Sequence, residues 1–182
     1  MEQLVRETFL EMTHAREANP PSSERRLSLQ KAEVPCPEVV HFFYRAIGAD
    51  WGWYDRVDWS EDRWREHARR SDLSIWIATY EGCPAGYVEF IHHPANELEI
   101  RSLGLLPTFL GQGLGQELLA STIGIAWNQA PTRLWLSTCS LDHPRALPNY
   151  HAAGFTTFDT KEAIVNLPDH SLSLWPTTDK HE

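Results

Sequence analysis

"LGLLPTFLGQGLGQELL", residues 103–119, begins as an apolar strand, turns at Pro107 and places Gly111, Gly113 and Gly115 within five positions before a helical pattern sets in. Glycine weakens strands and helices alike, so three of them at a strand-to-helix junction point to a backbone that something approaches closely. A GxGxxG dinucleotide fingerprint would need glycine where Gln116 stands, and the Lys-Ser/Thr ending of a nucleotide-binding P-loop is absent. What remains is a tight loop leading into a helix whose first amides are free. Such a helix start binds anions, because its N–H groups point outward and the dipole adds partial positive charge. Gln112, between two of the glycines, offers a side-chain amide as a further donor. An ordinary tight connection would use the same glycines for turn geometry, and the stretch alone does not separate the two readings.

The segments around the loop supply the context. Residues 73–93, "LSIWIATYEGCPAGYVEFIHH", are two β-rich runs around a hairpin signal, and "NELEIRSLGLLP" (96–107) continues them as a third strand, so 73–106 read as an antiparallel meander. Past the glycines, Leu114, Leu118, Leu119, Ile123, Ile125 and Ala126 keep helical spacing to about Gln129, and Pro131 stops the helix. "RLWLST" (133–138) reads as a buried strand. "DHPRALPNYHAAG" (142–154) reads as a short helix capped by Asp142, with Pro144 in its first turn and Gly154 at its C-terminal side. "FTTFD" and "AIVNL" are expected to form a closing hairpin. Upstream, "LVRETFLEM" (4–12) opens with a strand, a polar loop with a double proline fills 13–26, and "LSLQKAEV" (27–34) alternates as a second strand. A helix is expected from Glu38 to Ile47, closed by Gly48, and another after Ser60, which supplies an N-cap ahead of Glu61 and Asp62.

With "LGQGLG" at 110–115 after "LLP" at 105–107, the chain resembles the GCN5-related N-acetyltransferase superfamily. The acetyl-CoA motif of that family runs (Arg or Gln)-x-x-Gly-x-(Gly or Ala), and Gly113 and Gly115 match it. Leu110 departs from it, standing where Arg or Gln is usual. A second motif, Asn-x-x-Ala-x-x-x-Tyr-x-x-x-Gly-Phe, is met by Ala146, Tyr150, Gly154 and Phe155, with His143 in the Asn slot. The resemblance covers about residues 73–160. It implies an α/β (α+β) fold: a mixed, mostly antiparallel sheet of six or seven strands flanked by helices, with central strands that splay apart. It also implies one domain over 1–182, in which 73–160 form the acetyl-CoA core and 1–72 contribute the acceptor side.

By the same resemblance, the backbone of Leu103 and Leu105 pairs with the pantetheine arm of acetyl-CoA, and an N–H near Leu105 serves as oxyanion donor. The stretch Leu110, Gly111, Gln112, Gly113, Leu114 and Gly115 receives the pyrophosphate. His143 and Asn149 fall beside the cofactor, His143 either touching it or helping to cap the helix. Tyr150 takes the family's general-acid position, its hydroxyl aimed at the CoA sulfur. Acetyl transfer to an amine also needs a base, and a strand carboxylate beside the cleft can serve. Glu97, Glu99 and Arg101 alternate onto one strand face. Counting back from the glycines, Glu99 falls where histone acetyltransferases place their base; Glu97 is the second choice, and a solvated acid paired with Arg101 is the alternative. Trp51, Trp53 and Tyr54 lie in a Trp-rich segment that either packs in the core or walls the acceptor pocket.

Composition limits the partners. Twenty-five acidic against sixteen basic side chains give a formal charge of −9 in 182 residues. That balance excludes a general nucleic-acid or anionic-membrane surface, which needs clustered Lys and Arg. It suits a cationic acceptor, so the expected partner is a small-molecule amine or an amino terminus, with a homodimer left open. Cys36, Cys83 and Cys139 are odd in number and lack CxxC spacing, which fits a reduced compartment, the cytoplasm, without a disulfide framework. No stretch approaches the roughly 20 apolar residues of a membrane helix. His92 and His93 point to opposite faces of a strand and suggest no metal, so acetyl-CoA is the one cofactor expected. A catalyst that lost its chemistry and kept CoA binding, a sensor or interaction module, is the alternative function.

Overall fold

The computed structural model describes residues 1–15 and 26–167, so most of the expected polar loop, 16–25, lies outside the described residues. Seven strands form one sheet in the order β2-β3-β4-β5-β6-β1-β7. They are β1 (Glu2–Met12), β2 (Leu27–Lys31), β3 (Leu73–Tyr80), β4 (Cys83–His93), β5 (Glu97–Leu105), β6 (Arg133–Cys139) and β7 (Thr156–Asn166). Every neighbouring pair is antiparallel except β5 and β6. The expected meander is present as β3, β4 and β5. Its first turn is shorter than the sequence suggests: Glu81 and Gly82, at φ 48° and 81°, close a two-residue hairpin, and the residues from Cys83 onward already belong to β4. Paired positive φ values match the right-handed twist of flanking strands. The closing hairpin is not formed. Thr156–Asn166 is one continuous edge strand that follows β1 along its length, bent by a bulge opposite Phe9 and Leu10.

Helices cover both faces. On one side, α3 (Leu114–Trp127) and α4 (Ala146–Ala153) pack against the sheet. Leu114, Leu118, Leu119, Ile123 and Ala126 of α3 meet Leu10 of β1, Val88 and Phe90 of β4, Leu98 and Ile100 of β5, and Leu134 and Leu136 of β6 in one buried cluster. Burying each large aliphatic side chain there contributes about 1.5–3 kcal/mol. On the other side, α1 (Pro37–Gly48) and α2 (Glu61–Ala68) bury Val40, Phe43, Tyr44, Ile47 and Trp64 against Ile75 and Tyr87. The caps follow the sequence at α2, where Ser60 Oγ accepts the Arg63 amide at 3.3 Å. They do not at α4. That helix starts at Ala146, and Asp142 instead closes the turn after β6, accepting Thr138 Oγ1–H at 2.6 Å and the Cys139 amide at 2.9 Å. Pro144 disfavours helical backbone at His143, and the helix begins only at Ala146, with Pro148 inside its first turn.

The second apolar layer encloses charge. Glu89, on β4 and fully buried, receives Arg56 in a fork, NH1 to Oε1 at 3.0 Å and NH2 to Oε2 at 2.9 Å. His67 Nε2 lies 3.4 Å from the same carboxylate, and Ser102 Oγ donates to it at 3.4 Å. Tyr44 adds a second tie: its hydroxyl donates to Asp55 at 2.7 Å and accepts the Arg56 amide at 3.1 Å. These bonds fix the Trp53–Arg56 loop above β5.

Candidate active site

The parallel pairing of β5 and β6 runs from Glu97 with Arg133 to Ile100 with Leu136 and then stops. Beyond it the strands part, and a cavity of about 590 Å³ opens between them. Leu106 N–H bonds to Ala85 O of the β4 side at 2.8 Å. Strand groups alternate in direction, so the N–H and C=O of Leu105 and Leu103 face the opposite way, into the cleft. Leu103, Gly104 and Leu105 line one wall, Leu136 and Ser137 the other. Gly104 keeps that wall thin, because a Cβ there would stand 2.5 Å from Ile47 Cγ2.

One end of the cleft is closed by the glycine loop. Gly111 and Gly113 adopt φ 76° and 78°, and Gly113 is the N-cap of α3 with no side-chain cap, so the first amides of the helix stay without a side-chain partner. Around Gly111 and Gly115 nothing stands within 4 Å of where a Cβ would be. The loop thus has the open approach and the donors that a pyrophosphate requires, and acetyl-CoA fits it on those grounds. Leu110, Gly111, Gly113 and Gly115 line the cavity; Gln112 and Leu114 do not. Leu114 is buried in the core, and Gln112 donates its amide back to Thr108 O at 3.0 Å, so the extra donor expected from it is used within the loop. A cation nonetheless reaches this place: Arg26, at the start of β2, donates NH1 to Gln112 O at 3.2 Å. Its backbone is held by buried Glu117, which accepts the amides of Arg26 and Leu27 at 2.6 and 2.7 Å. Position 110 lost its basic or amide side chain, and a residue 84 positions upstream supplies charge beside the same loop, which local spacing does not reveal.

At the other end α4 brings Asn149 and Tyr150 to the cavity wall, and the turn before it brings His143. His143 stacks edge-on against Trp51 with ring centroids 4.7 Å apart, and its Nδ1 accepts the Arg145 amide at 3.1 Å. Tyr150 is half-buried; burial pushes the pKa of its hydroxyl well up, and the negative charge of Asp142 adds to the effect. The hydroxyl therefore keeps its proton throughout the physiological range.

A second cavity, of about 310 Å³, adjoins the first on the α1–α2 side. Trp53, Arg101, Ser102, Ser137 and Asp142 line both. Tyr54, Asp55 and Arg56 from the loop after α1, Glu7 from β1 and Lys161 from β7 complete its walls. The Trp-rich segment thus divides: Trp51 and Trp53 face the cleft, Tyr54 the second cavity, and Trp59 and Trp64 pack in the core.

Glu99 and Glu97 line neither cavity. Register pairs Glu89 with Ser102 and Phe90 with Ile100, leaving Arg101 as a bulge that breaks the alternation expected for this strand. Glu99 ends up 6% exposed, with Oε2 at 2.7 Å from His93 Nε2 and Oε1 at 3.7 Å from Arg101 NH1. Glu97 reaches Arg133 NH1 at 3.4 Å. Arg101 turns outward instead and donates to Asp55 Oδ2 at 2.7 Å. Ser102 and Ser137 also line the cleft without any signal in the sequence, and Asp142 and Arg101, read from the sequence as a helix cap and an ion-pair partner, line it as well. Among the described residues no group of three or more His, Cys, Asp or Glu side chains is placed to hold a metal, and no helix is long and apolar enough to cross a membrane.

Comparison with known proteins bears on the same region. No curated protein matches the chain. Among solved structures, a GCN5-related N-acetyltransferase from Sphaerobacter thermophilus superposes with TM-score 0.64 at 17% identity, over 88% of this chain and 50% of that one. The ribosomal-protein-S18-alanine N-acetyltransferase of Escherichia coli gives TM-score 0.56 at 18% identity, over 71% of this chain and 77% of that one. An aminoglycoside acetyltransferase from an uncultured soil metagenomic sample gives 0.57 at 13%, over 71% and 88%. The chain thus spans about half the length of the Sphaerobacter protein, and at these identities the likeness is one of fold. The acetyltransferase (GNAT) family model matches residues 38–155, which is more than half the chain and takes in both motifs, the parted strands and the loop over them; the protein belongs to that family.

Proposed function

We propose that the protein transfers the acetyl group of acetyl-CoA to a primary amine, carried by a small molecule or an amino terminus. The observation that supports this reading is the single cleft in which the uncapped glycine loop, the outward-facing backbone of Leu103 and Leu105 and the protonated Tyr150 converge. Bound there, acetyl-CoA would supply an activated thioester, with the amides of 111–115 on its pyrophosphate and Arg26 adding charge where Leu110 has none. The cavity next to it is the acceptor site. Residues 1–72 contribute Glu7, Tyr54 and Asp55 to it, and the cofactor wall comes mainly from the later part of the chain, with Ile47, Trp51 and Trp53 added from the earlier part. Attack of the amine nitrogen on the thioester carbonyl develops negative charge on oxygen, which the Leu105 N–H is directed to receive. Tyr150 then protonates the leaving sulfur. Glu99 would act at one remove, holding Arg101 and through it Asp55 at the mouth of the acceptor site.

Calorimetry with CoA and release of free thiol from acetyl-CoA test this together, with spermidine, tyramine, kanamycin A and an alanine-first hexapeptide as acceptors. Micromolar binding and thiol release with at least one amine are expected. No binding at millimolar CoA overturns the reading, and binding without turnover on any of the four assigns the fold to sensing. Gly113→Ala is expected to weaken CoA about five-fold, because a side chain disfavours the left-handed backbone there and a loop that relaxes out of it turns its amides from the pyrophosphate, a loss of roughly 1 kcal/mol in binding. The same calorimetry reads that change.

A further inference from the structure

We infer that Asp142 takes the proton from the acceptor ammonium, the role that Glu99 is too deeply placed to fill. This rests on the acetyltransferase reading above. Of the carboxylates around the acceptor cavity, Glu7 and Asp55 line that cavity alone, whereas Asp142 lines both it and the cofactor cleft. It therefore stands where acceptor nitrogen and thioester carbon must meet. Asp55 has both oxygens engaged, Oδ1 by the Tyr44 hydroxyl and Oδ2 by Arg101, each at 2.7 Å. Asp142 is held through one oxygen only: Oδ2 accepts from Thr138 Oγ1 and from the Cys139 amide, and Oδ1 has no hydrogen bond among the described residues. Two short bonds fix the carboxylate while leaving one oxygen to the cavity. Tyr150 lines the same cofactor cleft, so proton acceptor and proton donor face one cavity.

The proton balance closes with these two residues. Oδ1 of Asp142 accepts one proton from the alkylammonium, freeing the nitrogen lone pair. As the nitrogen–carbon bond forms and the carbon–sulfur bond breaks, Tyr150 gives its proton to the sulfur. The nitrogen sheds its second proton, which returns the phenol to its starting state by way of solvent, and Asp142 releases the first to bulk water. One amide, one thiol and one free proton result.

Asp142→Asn is the test, because its amide oxygen still accepts from Thr138 and Cys139 while the free oxygen becomes an NH₂ group. With the best amine of the four named above, kcat/KM at pH 7 should fall about 100-fold, with the Kd for CoA within twofold of wild type. The deficit should shrink as pH rises towards the amine's own pKa, since the acceptor then arrives deprotonated. The other groups facing the carboxylate remain in both proteins: Glu7, Asp55, Arg101 and Lys161 on the acceptor side, with Arg56 and Tyr54 behind them. Cys139 on its own strand and His143, Arg145 and Tyr150 on the cofactor side are likewise unchanged, so they cancel in the comparison. A rate within threefold of wild type, or a loss of the same size at every pH, overturns the assignment. Asp142→Ser, which keeps an oxygen for the Cys139 amide, replaces the Asn variant if that one does not fold, with the same expectation. Failure of wild type to bind CoA or to acetylate any of the four amines removes the parent reading and this one together. A wild-type enzyme that transfers normally beside an equally active variant removes only this one.

Discussion

Tyr150→Phe should lower kcat about 100-fold while leaving the Kd for CoA and the melting temperature close to wild type. Loss of a positioned general acid is typically worth that factor. The substitution removes one oxygen from a side chain that packs edge-on against Phe155 at 6.2 Å, a contact phenylalanine reproduces, so the helix keeps its seat. The hydroxyl's proton is held by burial and by the charge of Asp142. The sign follows: a phenol with a raised pKa is protonated at every pH from 6 to 9, so wild-type kcat should show no basic limb from this group. Single-turnover release of thiol, followed across that range in both proteins, checks the point. Unchanged rates in the variant would mean that the sulfur leaves as thiolate or takes its proton from water.

The glycine loop, the meander and Tyr150 were legible in the sequence because each is written locally: three glycines before a helical repeat, alternating apolar runs, and a helix with fixed spacing between Ala146, Tyr150 and Gly154. What was not legible depends on distant segments meeting. The bulge at Arg101 arises from the register of β5 against β4, and Glu99 lies where β5 is still paired with β6, short of the point at which the strands part. Asp142 looked like a helix cap because Pro144 follows it two positions later; the helix instead starts at Ala146, and the carboxylate belongs to the turn after β6. "FTTFD" and "AIVNL" were separated by charged residues that read as a turn. An edge strand tolerates such residues on both faces, and β1 is long enough to pair with all of it. Arg26 reaches the glycine loop only because β2 begins beside α3. The isolated Glu89 within "GYVEFI" was the one local hint of the buried charge network, since an acid in an apolar strand run must find a partner when folded.

That network sets the second large effect. Arg56→Leu should destabilise the protein by about 3–5 kcal/mol, because it leaves a buried carboxylate without its cation. For a domain of this size the melting temperature should fall by roughly 10 °C or more. Arg56 and Glu89 are 3% and 0% exposed, so solvent cannot take the place of the missing partner. The double variant Arg56→Leu with Glu89→Leu should recover part of the loss, since a buried ion pair replaced by apolar side chains is often close to neutral. Burial pushes the Glu89 pKa up, but the charge of Arg56 and the hydrogen bonds from His67 and Arg56 outweigh it and hold the group down at about 2, from an ordinary 4.5. A carboxylate with a lowered folded pKa contributes stability that is complete above the unfolded value and is lost as pH falls through the folded one. Wild-type stability should therefore decline between about pH 4.5 and pH 2, by an amount on the order of 3 kcal/mol from this group, and the double variant should lack that component. Because the same arginine carries the loop bearing Trp53, Tyr54 and Asp55, the single variant should also lose affinity for the acceptor at temperatures where it is still folded. Urea melts at a series of pH values, with acceptor KM measured on the folded fraction, separate the two consequences. An Arg56→Leu protein that melts like wild type would mean that water or a rearranged His67 satisfies Glu89, and that the loop over the acceptor cavity is held by Tyr44 alone.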